Sequence, residues 1–88
     1  MNYFLVWQKV ADYATWKQVF DAANAAREAA GFKVVHMWRA REDQNRVIVV
    51  FSVEDVARAE AFLVSPAVGE MMRAGGVQEA GGEFMTDA

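Results

Sequence analysis

The sequence contains no cysteine, one histidine and one proline among its 88 residues, and no apolar run longer than five. Without cysteine there is no disulfide to staple the chain and no thiolate to hold a metal, so the core has to come from packing alone. One histidine cannot anchor a zinc site, and the acidic residues show neither the His-Glu-x-x-His spacing nor that of a calcium loop. A run such as Val47 to Phe51 is far too short to cross a bilayer. Positive charge is scarce too: nine basic residues against twelve acidic ones leave a formal charge of −3, which disfavours nonspecific attraction to nucleic acid or an anionic membrane. No glycine-rich phosphate loop follows a strand, since Gly75-Gly76 follows a helical pattern, and no serine stands in a Gly-x-Ser-x-Gly context. The start of the chain lacks the basic flank and small-residue cleavage site of a signal peptide. These absences lead us to expect a cytoplasmic protein without metal, haem or flavin.

What is present is apolar and branched: 55% of the residues are hydrophobic and 12% aromatic, enough for the core of a single domain over residues 1–88. Arg46 to Val53 reads Arg-Val-Ile-Val-Val-Phe-Ser-Val. Branched side chains lose rotamers against a helical turn, so this stretch suits a strand. Val47, Val49 and Phe51 point one way and Ile48 and Val50 the other, so both faces of the sheet need a cover here. Asn2 to Lys9 has the same two-sided character, with Tyr3, Leu5 and Trp7 on one face and Phe4 and Val6 on the other.

Asp12 is a plausible N-cap, and Tyr13, Trp16, Phe20, Ala23, Arg27 and Ala30 follow at spacings of three and four, one stripe of a helix that Gly31 ends. Lys33 to Arg41 forms the next strand, and Glu42 to Asn45 supplies polar turn residues that fold it back. If Arg41 pairs with Arg46, His36 faces Phe51 and Trp38 faces Val49; a bulge at Asn45 reverses that assignment. Ser52-Val53-Glu54-Asp55 has the form of a capping box before the stripe Val56, Ala59, Phe62 and Leu63. Ser65-Pro66 starts a separate helical segment to Ala74, with Val68, Met71 and Met72 inward. Val77 to Met85 reads as a last strand broken by Gly81-Gly82.

The order is β-α-β-β-α-β, which predicts an α+β, ferredoxin-like sandwich: a four-stranded antiparallel sheet, strands one and three central, both helices on one face. An apolar second face is too large to leave in water, so a symmetric homodimer with sheets packed face to face is expected.

With Asp12-Tyr13, Trp16-Lys17, Phe20-Asp21, Arg27, Ala30-Gly31, Arg41 to Val47, Ala61-Phe62, Ser65-Pro66, Met71-Met72 and Ala74-Gly75 in this order, the chain resembles the dimeric α+β barrel superfamily. Within it the likeness is to proteins of antibiotic-biosynthesis-monooxygenase type and to short cyclase-type proteins. The resemblance implies the fold and dimer, and a small aromatic or polyketide-like ligand. It leaves open a cofactor-independent monooxygenase, a cyclase, an isomerase and a non-catalytic binding or accessory module. Relatives that degrade haem place a histidine on a helix, whereas His36 is on a strand. RNA-recognition domains share the element order, but strand three lacks their basic and aromatic pattern.

Six residues are candidates for a site. His36 is the natural proton shuttle, set against a packing or interface role. Trp7, Trp16 and Trp38 offer indole faces to an aromatic ligand or belong to the core. Arg27 interrupts the helical stripe; it holds an anion in a cavity, or lays its methylenes on the sheet with its guanidinium in water. Met71 adapts to a ligand or fills an irregular core gap. If the protein is an enzyme, Trp16 and Trp38 pack on the substrate, Arg27 stabilises an enolate or phenolate, and His36 moves the proton.

Overall fold

The computed structural model describes residues 1–88. Two strands apolar on both sides can sit only at the centre of a sheet, and β1 (Asn2–Val10) pairs antiparallel with β3 (Arg46–Val53), Phe4 opposite Phe51 and Val6 opposite Val49. β2 (Phe32–Arg39) flanks β3 and β4 (Val77–Thr86) flanks β1, giving the order β2-β3-β1-β4. Each connecting arm is a pair of helices: α1 (Tyr13–Ala22) with α2 (Asn24–Ala29), and α3 (Val56–Leu63) with α4 (Pro66–Ala74). The fold is ferredoxin-like α+β. Its core joins inward-facing strand residues such as Phe4, Val49 and Phe51 to Trp16, Ala30 and Ala59 from the helical arms.

The expected first helix is broken at Ala23, whose backbone leaves the helical region. Phe20, near the end of α1, offers its carbonyl oxygen both to the Ala23 N–H and to the Arg27 side chain, a divided acceptor at the break. Asp12 caps α1 as expected, accepting from the Thr15 N–H and hydroxyl at 3.0 Å each. These bonds hold its carboxyl below the usual carboxylate range. The second arm differs from the capping-box expectation: Asp55, not Ser52, caps α3 by accepting from the Arg58 N–H. Pro66 occupies the first turn of α4, where its missing N–H costs no helical bond. Gly31, at φ 87°, turns the chain out of α2, and its carbonyl accepts from the Glu54 N–H.

Register supplies the main correction. His36 pairs with Val50 and Trp38 with Ile48, one residue from the expected match to Phe51 and Val49. The offset is set at the turn: Arg39 stands opposite Val47 and the Ala40 N–H reaches the Arg46 carbonyl at 2.8 Å, so Arg46 faces Ala40 and not Arg41, while a separate irregularity at Val35 lies beyond His36. Asn45 instead ties the β2–β3 turn to the start of α1, its side-chain oxygen accepting from the Tyr13 N–H at 2.9 Å. β4 is also unbroken at Gly81-Gly82. The glycines are there because aromatic rings of β1 lie across them: a Cβ on Gly81 falls 2.5 Å from Trp7 Nε1, and one on Gly82 falls 2.6 Å from Phe4 Cζ and 3.0 Å from the Leu5 carbonyl oxygen.

Gly82→Ala is therefore expected to destabilise the fold by about 1–3 kcal/mol, since buried Phe4 and the β1 backbone cannot both yield. Urea denaturation with an unchanged midpoint contradicts this. The Asp12 cap predicts a pH effect. A carboxyl with a depressed folded pKa stabilises fully above its unfolded pKa and loses that contribution as pH falls through the folded value. Asp12→Asn, a neutral cap, should flatten the acid limb of the melting curve without lowering its neutral plateau appreciably.

Candidate functional site

Alternate residues of β1, Phe4, Val6, Gln8 and Val10, share the face under the helices, and Gln8 is the polar exception among them. Its side-chain oxygen accepts from Trp16 Nε1 at 2.7 Å. Trp16, 4% exposed, stacks on Phe20 with centroids 4.7 Å apart, and the Arg27 guanidinium lies 3.7 Å from the centre of the Phe20 ring. Indole, phenyl and guanidinium thus form one stack along the inner side of α1 and α2. Beneath them, between helices and sheet, is a cavity of about 110 Å³ lined mostly by apolar side chains, with Gln8 and Arg27 among the few polar contributors. Val19, Ala23 and Met71 line both this cavity and a shallower depression bounded by Glu70 and Ala74, at the seam of α1, α2 and α4.

Arg27 is the chemical centre of this space. It is 8% exposed, which overturns the expectation of a guanidinium reaching water. It makes one hydrogen bond, from Nη2 to the Phe20 carbonyl at 2.7 Å; Nε is buried without a partner, and no carboxylate forms an ion pair with the group. Burial lowers its pKa, partly offset by the more distant charges of Asp21 and Glu28. An arginine still keeps its proton at neutral pH. The result is a cation in an apolar cavity with unused N–H donors, an arrangement that favours an anionic occupant.

The six candidates fall on two sides of the sheet. Trp16, Arg27 and Met71 line the cavity. His36 and Trp38 pair with Val50 and Ile48 and lie on the opposite, outer face, their rings 4.3 Å apart. Trp7, paired with Ile48, is on that outer face as well. The constellation of Trp16, Trp38, Arg27 and His36 therefore does not converge, and no His, Asp, Glu, Lys, Cys or Tyr lines the cavity. Gln8 and Phe20 were missing from the candidates. A lone amide on the inward parity of an otherwise apolar strand was the available signal for Gln8.

No family model and no curated protein matches the sequence. Solved structures do match its fold. An antibiotic-biosynthesis-monooxygenase-type protein of Bordetella bronchiseptica superposes with a TM-score of 0.81 at 17% identity, covering 99% of this chain and 96% of that one. A variant of SnoaB, a cofactor-independent oxygenase from Streptomyces nogalater, gives 0.77 at 18% identity over 98% and 91%. A Deinococcus radiodurans protein of the same monooxygenase type gives 0.73 at 12%, over 100% and 93%. At these identities the likeness establishes the fold and leaves the chemistry to the residues.

The cavity is smaller than the roughly 150 Å³ space known to stay dry and take benzene. It suits one ring, with the flexible Met71 and Met72 giving way. Benzene should raise the melting temperature saturably, and equally in wild type and His36→Ala, since His36 is across the sheet. A melting temperature indifferent to benzene means that the cavity is closed in solution.

Proposed function

We propose that the protein binds a small aromatic or enolic anion in the cavity beneath Trp16, Phe20 and Arg27, and acts on it as a cofactor-independent monooxygenase. The observation that carries this reading is Arg27, a buried cation without a carboxylate partner in an apolar cavity. Burying such a charge is costly, and a protein that only needed packing here is served as well by methionine or leucine. An anion beside the guanidinium recovers the cost through charge-assisted hydrogen bonds. The fold shared with a cofactor-independent oxygenase supports the same reading.

In such a reaction the substrate supplies all the electrons. A CH₂ next to the ionised system becomes C=O; one atom of O₂ enters the new carbonyl, and the other leaves as water with the two hydrogens. Arg27 favours the ionised form that yields electrons to O₂, and the apolar walls exclude bulk water. His36 has no access to this step from the outer face, so the cavity depends on a ligand that ionises without a protein base. That lack of a proton carrier favours a second reading, a binding module that holds the anion without turning it over.

The chain acts as a homodimer in this proposal. Only 13 of its 88 residues are buried although 55% are hydrophobic, and the surplus includes Tyr3, Leu5, Trp7, Ile48, Val50 and the 48%-exposed Trp38 on the bare face of the sheet. The molecule is a slab of 31 × 29 × 18 Å, one helical layer on one sheet. Its broad outer face has room for the roughly 800 Å² per partner that a stable interface takes. A second copy offers the matching apolar surface.

Arg27→Met should leave the unliganded fold as stable or up to about 2 kcal/mol more stable, and weaken binding of a phenolate by about 1.5–3 kcal/mol, ten- to a hundredfold. A melt and a tryptophan-fluorescence titration read both; binding unaffected by the substitution removes the anion assignment. Oxygen uptake with the bound ligand separates enzyme from module. For the assembly, Val50→Lys on the outer face should give a folded monomer by sedimentation, while Val49→Lys, 2% exposed under the helices, should unfold the chain. A wild-type monomer at micromolar concentration contradicts the dimer.

A further inference from the structure

The geometry points to a particular class of ligand: a monocyclic vinylogous acid, meaning one ring whose negative charge is shared through conjugation between two oxygens at opposite edges. This inference rests on the anion-binding reading of the cavity and extends it through Gln8. Indole nitrogen can only donate, so the bond from Trp16 Nε1 at 2.7 Å obliges Gln8 to turn its carbonyl oxygen toward Trp16. Its amide nitrogen is then left with two N–H donors, and among the chain's hydrogen bonds this nitrogen has no acceptor. Trp16 is held by burial and by its stack on Phe20, so the orientation of the Gln8 amide is set before any ligand arrives. The same cavity therefore carries two donor groups, one charged and one neutral, and no acceptor that is not already engaged.

The two enter from different ends. Gln8 stands opposite Val47, whereas the Arg27 guanidinium is placed over Phe20 and 5.9 Å from the Phe51 ring. Val47 and Phe51 are four residues apart on one strand, about 13 Å at roughly 3.3 Å per residue. A ring with oxygens on neighbouring carbons reaches one donor only. A ring with oxygens at opposite edges reaches both, the more anionic one at Arg27 and the carbonyl-like one at Gln8. Ionisation agrees with this. The cavity has no titratable base, so its ligand has to be an anion near neutral pH by its own chemistry; conjugation of a hydroxyl with a carbonyl across the ring achieves that, and a simple phenol does not. A delocalised charge also costs less to bring into apolar surroundings than a localised one.

The test uses the whole protein with three probes: 4-hydroxybenzaldehyde, 2-hydroxybenzaldehyde and phenol. Tryptophan fluorescence reports binding, and the absorbance of the aldehydes reports whether they are bound as anions. The para compound is expected to bind as the anion about tenfold more tightly than the ortho compound or phenol, the weight of one additional hydrogen bond. In Gln8→Leu that advantage should vanish while residual binding through Arg27 persists. Because Gln8→Leu leaves Trp16 Nε1 without its acceptor, a melt accompanies it, and the para-against-ortho comparison in wild type decides the matter even if the variant does not fold. Equal affinity for para and ortho compounds, both bound as anions, overturns this proposal while leaving phenolate binding at Arg27 intact, whereas a para compound bound as the neutral phenol overturns the anion-binding reading as well. Failure of all three probes to bind wild type removes the proposal together with the anion-binding reading beneath it.

Discussion

The pairing of β1 with β3 is the constraint from which the rest of the molecule follows. With Phe4 opposite Phe51 and Val6 opposite Val49, one face of the sheet becomes a continuous apolar floor. The alternate residues, Leu5 opposite Val50 and Trp7 opposite Ile48, make a second apolar face with no helix over it. A slip of one residue would exchange the two sets entirely, because side chains alternate with a period of two. The helices bury the first face and define the cavity within it. The second face is the reason to expect a partner copy.

Above the floor, the stack of Trp16, Phe20 and Arg27 performs two tasks at once. It closes the core under α1 and α2, and it holds a guanidinium against an aromatic face where a cation–π contact and the Phe20 carbonyl replace part of its hydration. Neither contact neutralises the charge. The break at Ala23 belongs to the same local solution, since the carbonyl that would complete a regular helix there also receives the Arg27 side chain. A continuous helix with an apolar residue at position 27 would pack more simply. The departure from the simpler solution coincides with the polar end of the cavity, as is common where a fold gives up local consistency for a site.

Fold and inner face were legible because they rest on short-range regularities. Branched residues on both parities of Asn2 to Lys9 and Arg46 to Val53 identified the central strands, and the three-and-four spacing from Tyr13 to Ala30 identified the first helical arm, including Arg27 on its inward stripe. Capping was legible only partly. Asp12 stood alone before an apolar stripe, whereas Ser52 and Asp55 both satisfied the local pattern for the second arm, and strand β3 continued through Ser52 to its end at Val53.

By itself, the sequence determined which segments are strands and helices, the β1–β3 centre, the two-sided apolarity and the presence of a charged residue where an apolar one belonged. Only the tertiary structure decided which side of the sheet each candidate occupies. His36 and Trp38 were grouped with Arg27 by a register counted from an Arg41–Arg46 pair, whereas Arg46 faces Ala40, which shifts that count by one. Arg41 is as polar as the turn residues that follow it, so no change of polarity marks where β2 ends, and one residue more in the turn sends His36 and Trp38 to the other face. The same holds for Gln8, whose amide orientation is set because Trp16, eight residues away on another element, gives its N–H to the Gln8 oxygen.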